Sequence, residues 1–260
     1  MNHKFLLIIC SIILLTLIIT NVSAITPTGA TTTPGTSTST PTGTAGNISA
    51  IAGNITAVNI FSGNSVTQVW QGYYGNVSGG LRIADSNDKA LYNWSLSTPS
   101  GEVYSSVNSS VTWNNIQCFN FTAIGNYSNE SGMGGTTNLY GTNLTQLHDE
   151  YNINDSDLDS VNSTFNSKNH DAFFTANKEF VENECQSLQL FTNTSAGQDG
   201  LFEEVILYEP ETASIVFTSI LEVASKGFNN VLVDFEMLVL DDGHGVDVDV
   251  TTYYFFLELE

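Results

Sequence analysis

Basic residues are scarce in this chain of 260 residues: lysine and arginine together number six, against 27 acidic residues. Arg82 is the only arginine, and the formal net charge is −21. This balance argues against nucleic acids and anionic membrane surfaces as partners, because both repel an anionic protein. A solvated acidic exterior, an adaptation to the habitat and cation binding all fit the charge.

Long apolar runs are limited to one, at the start of the chain. Lys4 precedes the run of 15 residues from Phe5 to Ile19, and Val22-Ser23-Ala24 form a small-residue cleavage site. As a helix the run would span roughly 22 Å, less than a bilayer core of ~30 Å. We predict a cleaved signal peptide over 1–24, an extracellular protein and no membrane span after cleavage. An uncleaved anchor is the alternative.

Cysteine is also rare. After the predicted signal only Cys118 and Cys185 remain, without a CxxC motif and without a histidine at metal-ligand spacing. In an oxidising compartment such a pair forms a disulfide. We predict this bond, which would close a loop of 67 residues and stabilise the fold by about 4 kcal/mol.

Catalytic signatures are missing. None of the histidines of the predicted mature chain, His148, His170 and His244, lies in HExxH, and no nucleophile elbow, Walker or dinucleotide motif occurs. Acidic pairs such as Glu203-Glu204 cannot be assigned as a glycosidase acid and base without their geometry. We therefore predict that the protein is not an enzyme, and keep a secreted hydrolase as an alternative.

Two aspartate clusters suggest calcium, since hard oxygen ligands suit that ion. They are Asp155, Asp157 and Asp159 in the first, and Asp241, Asp242, Asp247 and Asp249 in the second. The first fails as an EF-hand loop, because Ser160 and Asn166 occupy the positions that require Gly and Glu. Solvated loops explain both clusters, so we predict no metal site and no cofactor, with calcium as the alternative.

Asparagine is abundant and frequently lies in the Asn-x-Ser/Thr glycosylation sequence. Thirteen of 27 asparagines do so, and Asn21 is lost with the signal. The other twelve predicted acceptors are Asn47, Asn54, Asn76, Asn93, Asn108, Asn120, Asn126, Asn129, Asn143, Asn154, Asn162 and Asn193. Chance placement explains about half of them. The excess predicts a glycoprotein with these positions facing solvent.

The segment 25–46 contains only Thr, Ser, Pro, Gly and Ala after Ile25. It has little to bury and reads as an extended linker or stalk. From residue 47 to 260 period-two patterns dominate and predict one β-rich extracellular domain, an antiparallel sandwich or barrel. The candidate strands are 55–61, 66–74, 81–84, 90–96, 102–106, 111–121, 202–209, 213–219, 231–240 and 251–260.

One interval has helical spacing instead. Apolar residues recur at helical intervals in 143–152 and again in 155–165, with Asp155 as a plausible N-cap. We predict a short helical insertion around 143–165, enclosed by the disulfide.

The stretch WQGYYGNVSGG, 70–80, raises the question of whether its aromatic residues are core or a sugar-binding platform. In 90–96 alternation puts Tyr92 and Trp94 on one face and the acceptor Asn93 on the other. We therefore predict buried aromatic faces and glycosylated polar faces. Exposed Trp70, Tyr73 or Tyr74 would instead indicate a carbohydrate-binding module. Burial of Trp70, Trp94 and Trp113 distinguishes the two functions.

Five segments also resemble a family of secreted archaeal cell-surface glycoproteins with no assigned activity. They are WQGYYGNVSG, GEVYSS, WNNIQCFNF, DFEMLVLDDGHG and YYFFLELE, and the resemblance covers residues 60–260. It implies location and architecture and carries over no catalytic residue.

These patterns together predict a secreted, N-glycosylated structural or adhesive protein of the cell surface, with filament subunit as one form of that role. Its partners would be other surface proteins or copies of itself. The strand-like segment 48–61 would pair within its own domain or complete a neighbour's sheet.

Overall fold

The computed structural model describes residues 26–35, 49, 52, 55, 57–58, 66–95, 98–121, 143–192, 195–242 and 250–259. This part of the chain is mainly β and antiparallel, as predicted. In chain order the strands are β1 (Thr28–Gly29), β2 (Trp70–Gly75), β3 (Gly80–Ala84), β4 (Ala90–Ser95), β5 (Gly101–Ser106), β6 (Gln117–Cys118), β7 (Phe173–Thr175), β8 (Lys178–Phe180), β9 (Ser187–Gln189), β10 (Phe191–Thr192), β11 (Ser195–Gly197), β12 (Glu203–Glu209), β13 (Ser214–Ile220), β14 (Ser225–Lys226), β15 (Leu232–Val233), β16 (Phe235–Leu240) and β17 (Tyr254–Leu259).

Seven strands form the main sheet, in the order β1-β17-β5-β13-β12-β6, and β9 also pairs with β12. At its centre is the β12–β13 hairpin, whose register runs from Glu204 opposite Ser219 to Glu209 opposite Ser214. The remaining pairs are two-stranded: β10–β11, β14–β15, β16–β2, β3–β4 and β7–β8. No sheet in the described ranges closes on itself, so the antiparallel class is confirmed and the sandwich or barrel is not.

The first helix lies where the sequence predicts it. α1 spans Leu144–Glu150 and begins with a capping box. The Asn143 side chain accepts a hydrogen bond from the Gln146 amide at 2.9 Å, and the Gln146 side chain accepts one from the Asn143 amide at 3.0 Å. Two of the amides at the helix start are thereby satisfied.

The second helix is shorter than predicted. α2 spans only Val161–Thr164, and its N-cap is Ser160 rather than Asp155. The Asp155 carboxylate instead binds the ring of His148 from α1. The interval 155–160 consists of turns before α2 begins.

One face of the main sheet packs against the helices and the β16–β2 pair. Ile206 of β12 and Phe217 of β13 are buried in one apolar cluster with Phe165, which follows α2, and with Met237 of β16. The Phe165 and Phe217 rings lie 6.2 Å apart. This cluster is the larger of the two cores.

The opposite face is covered by the β7–β8 hairpin. Phe173 and Phe180 stack with ring centroids 4.9 Å apart and are buried with Val205 and Leu207 of β12. The main sheet is therefore a middle layer with apolar side chains on both of its faces.

A disulfide closes one edge of this sheet. β6 and β9 lie end to end along β12, with Cys118 opposite Leu207 and Ser187 opposite Val205. Cys118 and Cys185 are bonded, with their Cα atoms 5.1 Å apart. The predicted disulfide is confirmed, and it joins β6 to the segment that leads into β9.

The polar phase of several strands is not on the surface. Asp234, Glu236 and Glu258 alternate with apolar residues along the chain, yet they are only 8%, 5% and 3% exposed. Alternation normally separates a core face from a solvent face. Here a second layer covers the other face as well.

Candidate assembly edge

β17 is the last long strand at the edge of the main sheet that lies opposite the disulfide edge. β1 pairs with it antiparallel, with Thr28 opposite Leu257. The Ala30 amide donates to the Phe255 carbonyl at 2.9 Å, and the Thr28 hydroxyl donates to the Leu257 carbonyl at 3.4 Å. Because the side chains of β1 are exposed, main-chain hydrogen bonds hold this strand.

The position of Pro27 fits this pairing. Ala30 bonds its direct register partner, so Thr28, two residues earlier, also belongs to a hydrogen-bonded pair. Pro27 precedes Thr28 and is therefore at a position that is not hydrogen-bonded to β17, so its missing N–H removes no hydrogen bond between the strands. The Pro27 ring is buried. The predicted linker 25–46 thus contains a strand that sequence analysis missed, because small polar residues carry no hydrophobic periodicity.

The predicted donor strand 48–61 lies mostly outside the described residues. Those that are described, Ser49, Ala52, Ile55, Ala57 and Val58, belong to no strand. The covered edge of β17 is therefore paired with residues nearer the start of the chain.

Beneath the β1–β17 pairing lies a buried acid pair. Glu102 on β5 and Glu258 on β17 are direct cross-strand partners and are 2% and 3% exposed. The Tyr104 hydroxyl lies 3.4 Å from Glu102 Oε2 and 3.1 Å from Glu258 Oε2. The Ala176 amide donates to both Glu258 oxygens, at 3.1 and 3.0 Å.

The surroundings of Tyr104 disfavour its ionised form. Burial raises the pKa of the Tyr104 phenol well above its ordinary value, and the nearby carboxyls of Glu102 and Glu258 raise it further. The phenol therefore remains protonated and has one hydrogen to donate.

A glycine permits the close approach of β5 and β17. Gly101 has φ = +120°, and a Cβ at this position would lie 2.2 Å from the Glu258 carbonyl oxygen. Only glycine fits both the backbone angle and the space.

The β3–β4 hairpin, residues 80–95, contributes no residue to either core cluster and forms a hairpin arm. Cross-strand pairing puts Leu81 beside Trp94 and Ile83 beside Tyr92 on one face. Tyr92 is 60% and Trp94 51% exposed, with their rings 5.0 Å apart and edge to face. The prediction of a buried aromatic face is wrong for this hairpin, whose described apolar residues belong to neither core cluster.

The other two tryptophans are largely covered. Trp70 packs against Phe165 and Phe217 at 5.9 and 6.3 Å, and its indole N–H donates to the Asp159 carbonyl at 2.6 Å. Trp113 lies 5.0 Å from the Tyr104 ring. These rings are core residues, as predicted.

The two tyrosines of β2 are half covered. Tyr73 packs on Phe255 at 5.3 Å and Tyr74 on Phe228 at 5.2 Å. Tyr73 is 37% and Tyr74 49% exposed. The stretch 70–75 is therefore half-buried at its two ends, Trp70 and Gly75, and exposed between them.

Seven of the predicted glycan acceptors lie in described parts of the chain, and none of these is fully buried. Asn76, Asn93 and Asn154 are exposed, whereas Asn108, Asn120, Asn143 and Asn162 are partly covered. Asn47, Asn54, Asn126, Asn129 and Asn193 lie outside the described residues. The acceptor Asn93 and the apolar residues of the hairpin arm are on opposite faces.

Both described histidines accept a hydrogen bond from a backbone amide. His148 Nε2 accepts from the Val161 amide at 3.2 Å while Nδ1 faces Asp155. His170 Nε2 accepts from the Cys185 amide at 2.9 Å, and its Nδ1 donates to a backbone carbonyl. Neither ring has a nitrogen available for proton transfer to a substrate.

The aspartates of the first predicted calcium cluster have protein partners. Asp155 binds His148, Asp157 accepts from the Asn154 amide at 2.9 Å, and Asp159 accepts from the Thr67 hydroxyl at 2.5 Å. No group of three or more metal-binding side chains lies in the described ranges.

In the second cluster, Asp241 accepts from the Thr251 amide at 3.2 Å. Asp247 and Asp249 lie outside the described residues, as does His244.

Comparison with known proteins gives no relative: no family model, curated protein or solved structure matches this chain. Within the described ranges no helix is both long and apolar enough to cross a bilayer.

Proposed function

We propose that this chain is a secreted, N-glycosylated structural protein of the cell exterior, whose copies assemble by strand addition at β17. The observation that carries the proposal is the pairing of β1 with β17, in which the Ala30 amide donates to the Phe255 carbonyl. Strand addition uses main-chain bonds for affinity. The same strand from a second copy makes the same bonds.

Two features favour exchange of this strand between copies. Apart from Pro27, the described side chains of residues 26–30 are exposed, so little apolar area ties β1 to its own body. Residues 31–65 connect β1 to the segment that leads into β2. A chain of this length reaches roughly 110 Å when extended, enough to place β1 on a neighbouring molecule.

Two further features restrict assembly to this mode. The net charge of −21 makes most approaches between copies repulsive. Glycans on exposed acceptors such as Asn76 and Asn154 would cover other parts of the surface, and the disulfide edge is already occupied by β6 and β9. The β17 edge is then the site at which a second copy adds.

The test compares three forms of the chain that starts at Ile25, by sedimentation velocity over a range of concentrations. Deleting residues 25–35 should abolish assembly and leave the circular dichroism of the body unchanged. The matched control deletes residues 36–46, an equal length of chain, and should still assemble. Assembly that survives loss of 25–35, or a parent chain that stays monomeric at high concentration, would contradict the proposal.

The glycoprotein part of the proposal has its own measurement. Protein from native cells should begin at or near Ile25 and exceed its polypeptide mass, with hexose-bearing peptides at exposed acceptors such as Asn76 and Asn93. An intact mass equal to the bare polypeptide would exclude it.

A second function, carbohydrate binding, is favoured by the hairpin arm. The half-exposed Tyr92 and Trp94 rings offer apolar faces on which sugars can pack. Glycan-array binding that is lost in Trp94→Ser and kept in Phe191→Ser, an exposed aromatic on β10, would support this function instead.

A further inference from the structure

We propose that the Glu204 carboxyl holds its proton at neutral pH, and that ionisation of this buried acid frees the β16–β2 pair from the main sheet. Glu204 lies on β12, on the face of the main sheet that packs against β16. The inference concerns the contact between these two layers and is independent of the proposed assembly at β17.

The Glu204 side chain ties β16 to the main sheet. Its Oε2 accepts a hydrogen bond from the Leu238 amide at 2.8 Å. At the end of the β16–β2 pairing, the Asp241 amide donates to the Val69 carbonyl directly opposite. Because hydrogen-bonded pairs alternate along an antiparallel ladder, the Leu238 amide, three residues earlier, points away from β2. The carboxyl therefore satisfies an amide on the outer edge of β16.

The carboxyl is fully enclosed. Glu204 is 0% exposed, and its Oε1 has no hydrogen-bond partner in the described part of the chain. Its cross-strand neighbours are Ser219 on β13, whose hydroxyl is likewise unpartnered there, and Leu188 on β9. A buried charge is costly unless it is both paired and hydrogen-bonded. A single amide is the bonded donor that the described residues provide.

The strands packed against β12 bring no positive charge to Glu204. β6, β9 and β13 contain no residue that ionises, since the cysteine of β6 is in the disulfide. On β16 the titratable residue is Glu236, whose carboxyl accepts a hydrogen bond from the Phe228 amide. On β2 the titratable residues are Tyr73 and Tyr74, whose rings pack on phenylalanines.

The ionisable residues on β12 and beside its start are also directed elsewhere. Glu203 and Glu209 lie on the opposite face of the sheet, because successive side chains of a strand alternate. Both of these, and Glu222 as well, accept hydrogen bonds from backbone amides. Tyr208 shares the face of Glu204 but lies four residues further along, against a phenylalanine ring. Within the described ranges no group compensates a negative charge on Glu204.

The neutral acid fits this site. With its proton on Oε1, Glu204 still accepts the Leu238 amide at Oε2. Burial raises the pKa of the Glu204 carboxyl well above its ordinary value, and the bond from Leu238 opposes this more weakly. Once the proton is lost, hydration of the charge requires β16 to move away from β12. Opening therefore becomes easier as pH rises above the ordinary glutamate pKa.

The test is amide hydrogen exchange of β16 in the full chain, corrected for intrinsic rates, from about pH 5 to about pH 9. Ionisation of Glu204 alone predicts that the opening equilibrium of β16 increases up to tenfold per pH unit until the carboxyl of the closed form ionises too. In the unaltered protein, carbon-13 NMR should show a protonated Glu204 carboxyl at pH 7. An ionised carboxyl in that spectrum, which needs no variant, would overturn the proposal.

Glu204→Gln is the neutral isostere of the protonated acid, and its side-chain oxygen can still accept the Leu238 amide. It should lower the pH dependence of β16 opening by one proton, which is up to tenfold per pH unit. The matched control is Ser219→Ala, which changes the neighbouring buried side chain, keeps the carboxyl and should leave the dependence unchanged. An unchanged dependence in Glu204→Gln, or an equal decrease in Ser219→Ala, would contradict the proposal. Exchange is read within one molecule, so neither outcome depends on assembly at β17.

Discussion

The two edges of the main sheet are closed by different means. At the β12 edge, β6 and β9 lie end to end and the Cys118–Cys185 bond joins them. At the β17 edge, β1 is held by main-chain hydrogen bonds, and its side chains are exposed. An unpaired strand edge invites association. The disulfide edge is closed by a covalent bond, whereas the β17 edge is closed by a short strand that we propose a second copy can supply.

The largest expected effect concerns the disulfide edge. Replacing Cys118 and Cys185 together with serine should lower the free energy of unfolding by about 4 kcal/mol, because a 67-residue loop is no longer closed in the unfolded chain. Urea unfolding measures this. Assembly at β17 should persist in conditions where the variant is folded, and its loss would show that the two edges are coupled.

An intermediate effect is expected from pH. Burial, together with smaller contributions from the charges of Glu203 and Asp171, raises the pKa of Glu222 from 4.5 to about 7. Between these values the folded state binds more protons than the unfolded state, so the free energy of unfolding falls as pH rises from 4.5 to 7. Its stabilising contribution is fully present below pH 4.5 and is lost above about 7.

Between pH 4.5 and 7, the urea concentration at the midpoint of unfolding should fall as pH rises in the unaltered protein, and it should fall less in Glu222→Gln. Because the side chain is partly exposed, screening keeps the effect below that of the disulfide. Glu222 contacts the Phe202 amide at the start of β12, away from β17. An altered assembly in Glu222→Gln would contradict the separation of the two edges.

The smallest effect on stability should come from β1 itself. Thr28→Pro removes an amide from a hydrogen-bonded pair, which should cost about 1 kcal/mol and weaken assembly. Gly29→Pro is the control, since that amide lies on the alternate phase and proline is tolerated there on an edge. Sedimentation velocity measures assembly in both variants. Equal loss of assembly would contradict the inference that Thr28, and not Gly29, is hydrogen-bonded to β17.

Local patterns predicted much of the main sheet. The apolar runs that predict strands over 202–209 and 213–219 correspond to β12 and β13 with bounds shifted by one residue. In contrast, 111–121 contains only β6 and a short 3-10 turn at Trp113–Asn115. The β7–β8 hairpin was not predicted, because strands of three residues are too short for alternation to be recognised.

The β17 edge was harder to predict than the fold class. Alternation identified β17 and placed Glu258 opposite its apolar face, but it did not show that this glutamate is buried. It also assigned Tyr92 and Trp94 to the core, whereas they are exposed. Both errors have one cause: a period-two pattern shows which residues share a face and does not show whether another layer covers that face.

The sequence by itself determined the β class, the disulfide and the phase of each long strand, because alternation and cysteine number are local or compositional properties. Only the tertiary structure decided that the main sheet is covered on both faces, that Glu102 and Glu258 meet across β5 and β17, and that β1 pairs with β17. These depend on contacts between residues far apart in the chain. Pairing of a strand as short as Thr28–Gly29 comes from the backbone, which every sequence shares.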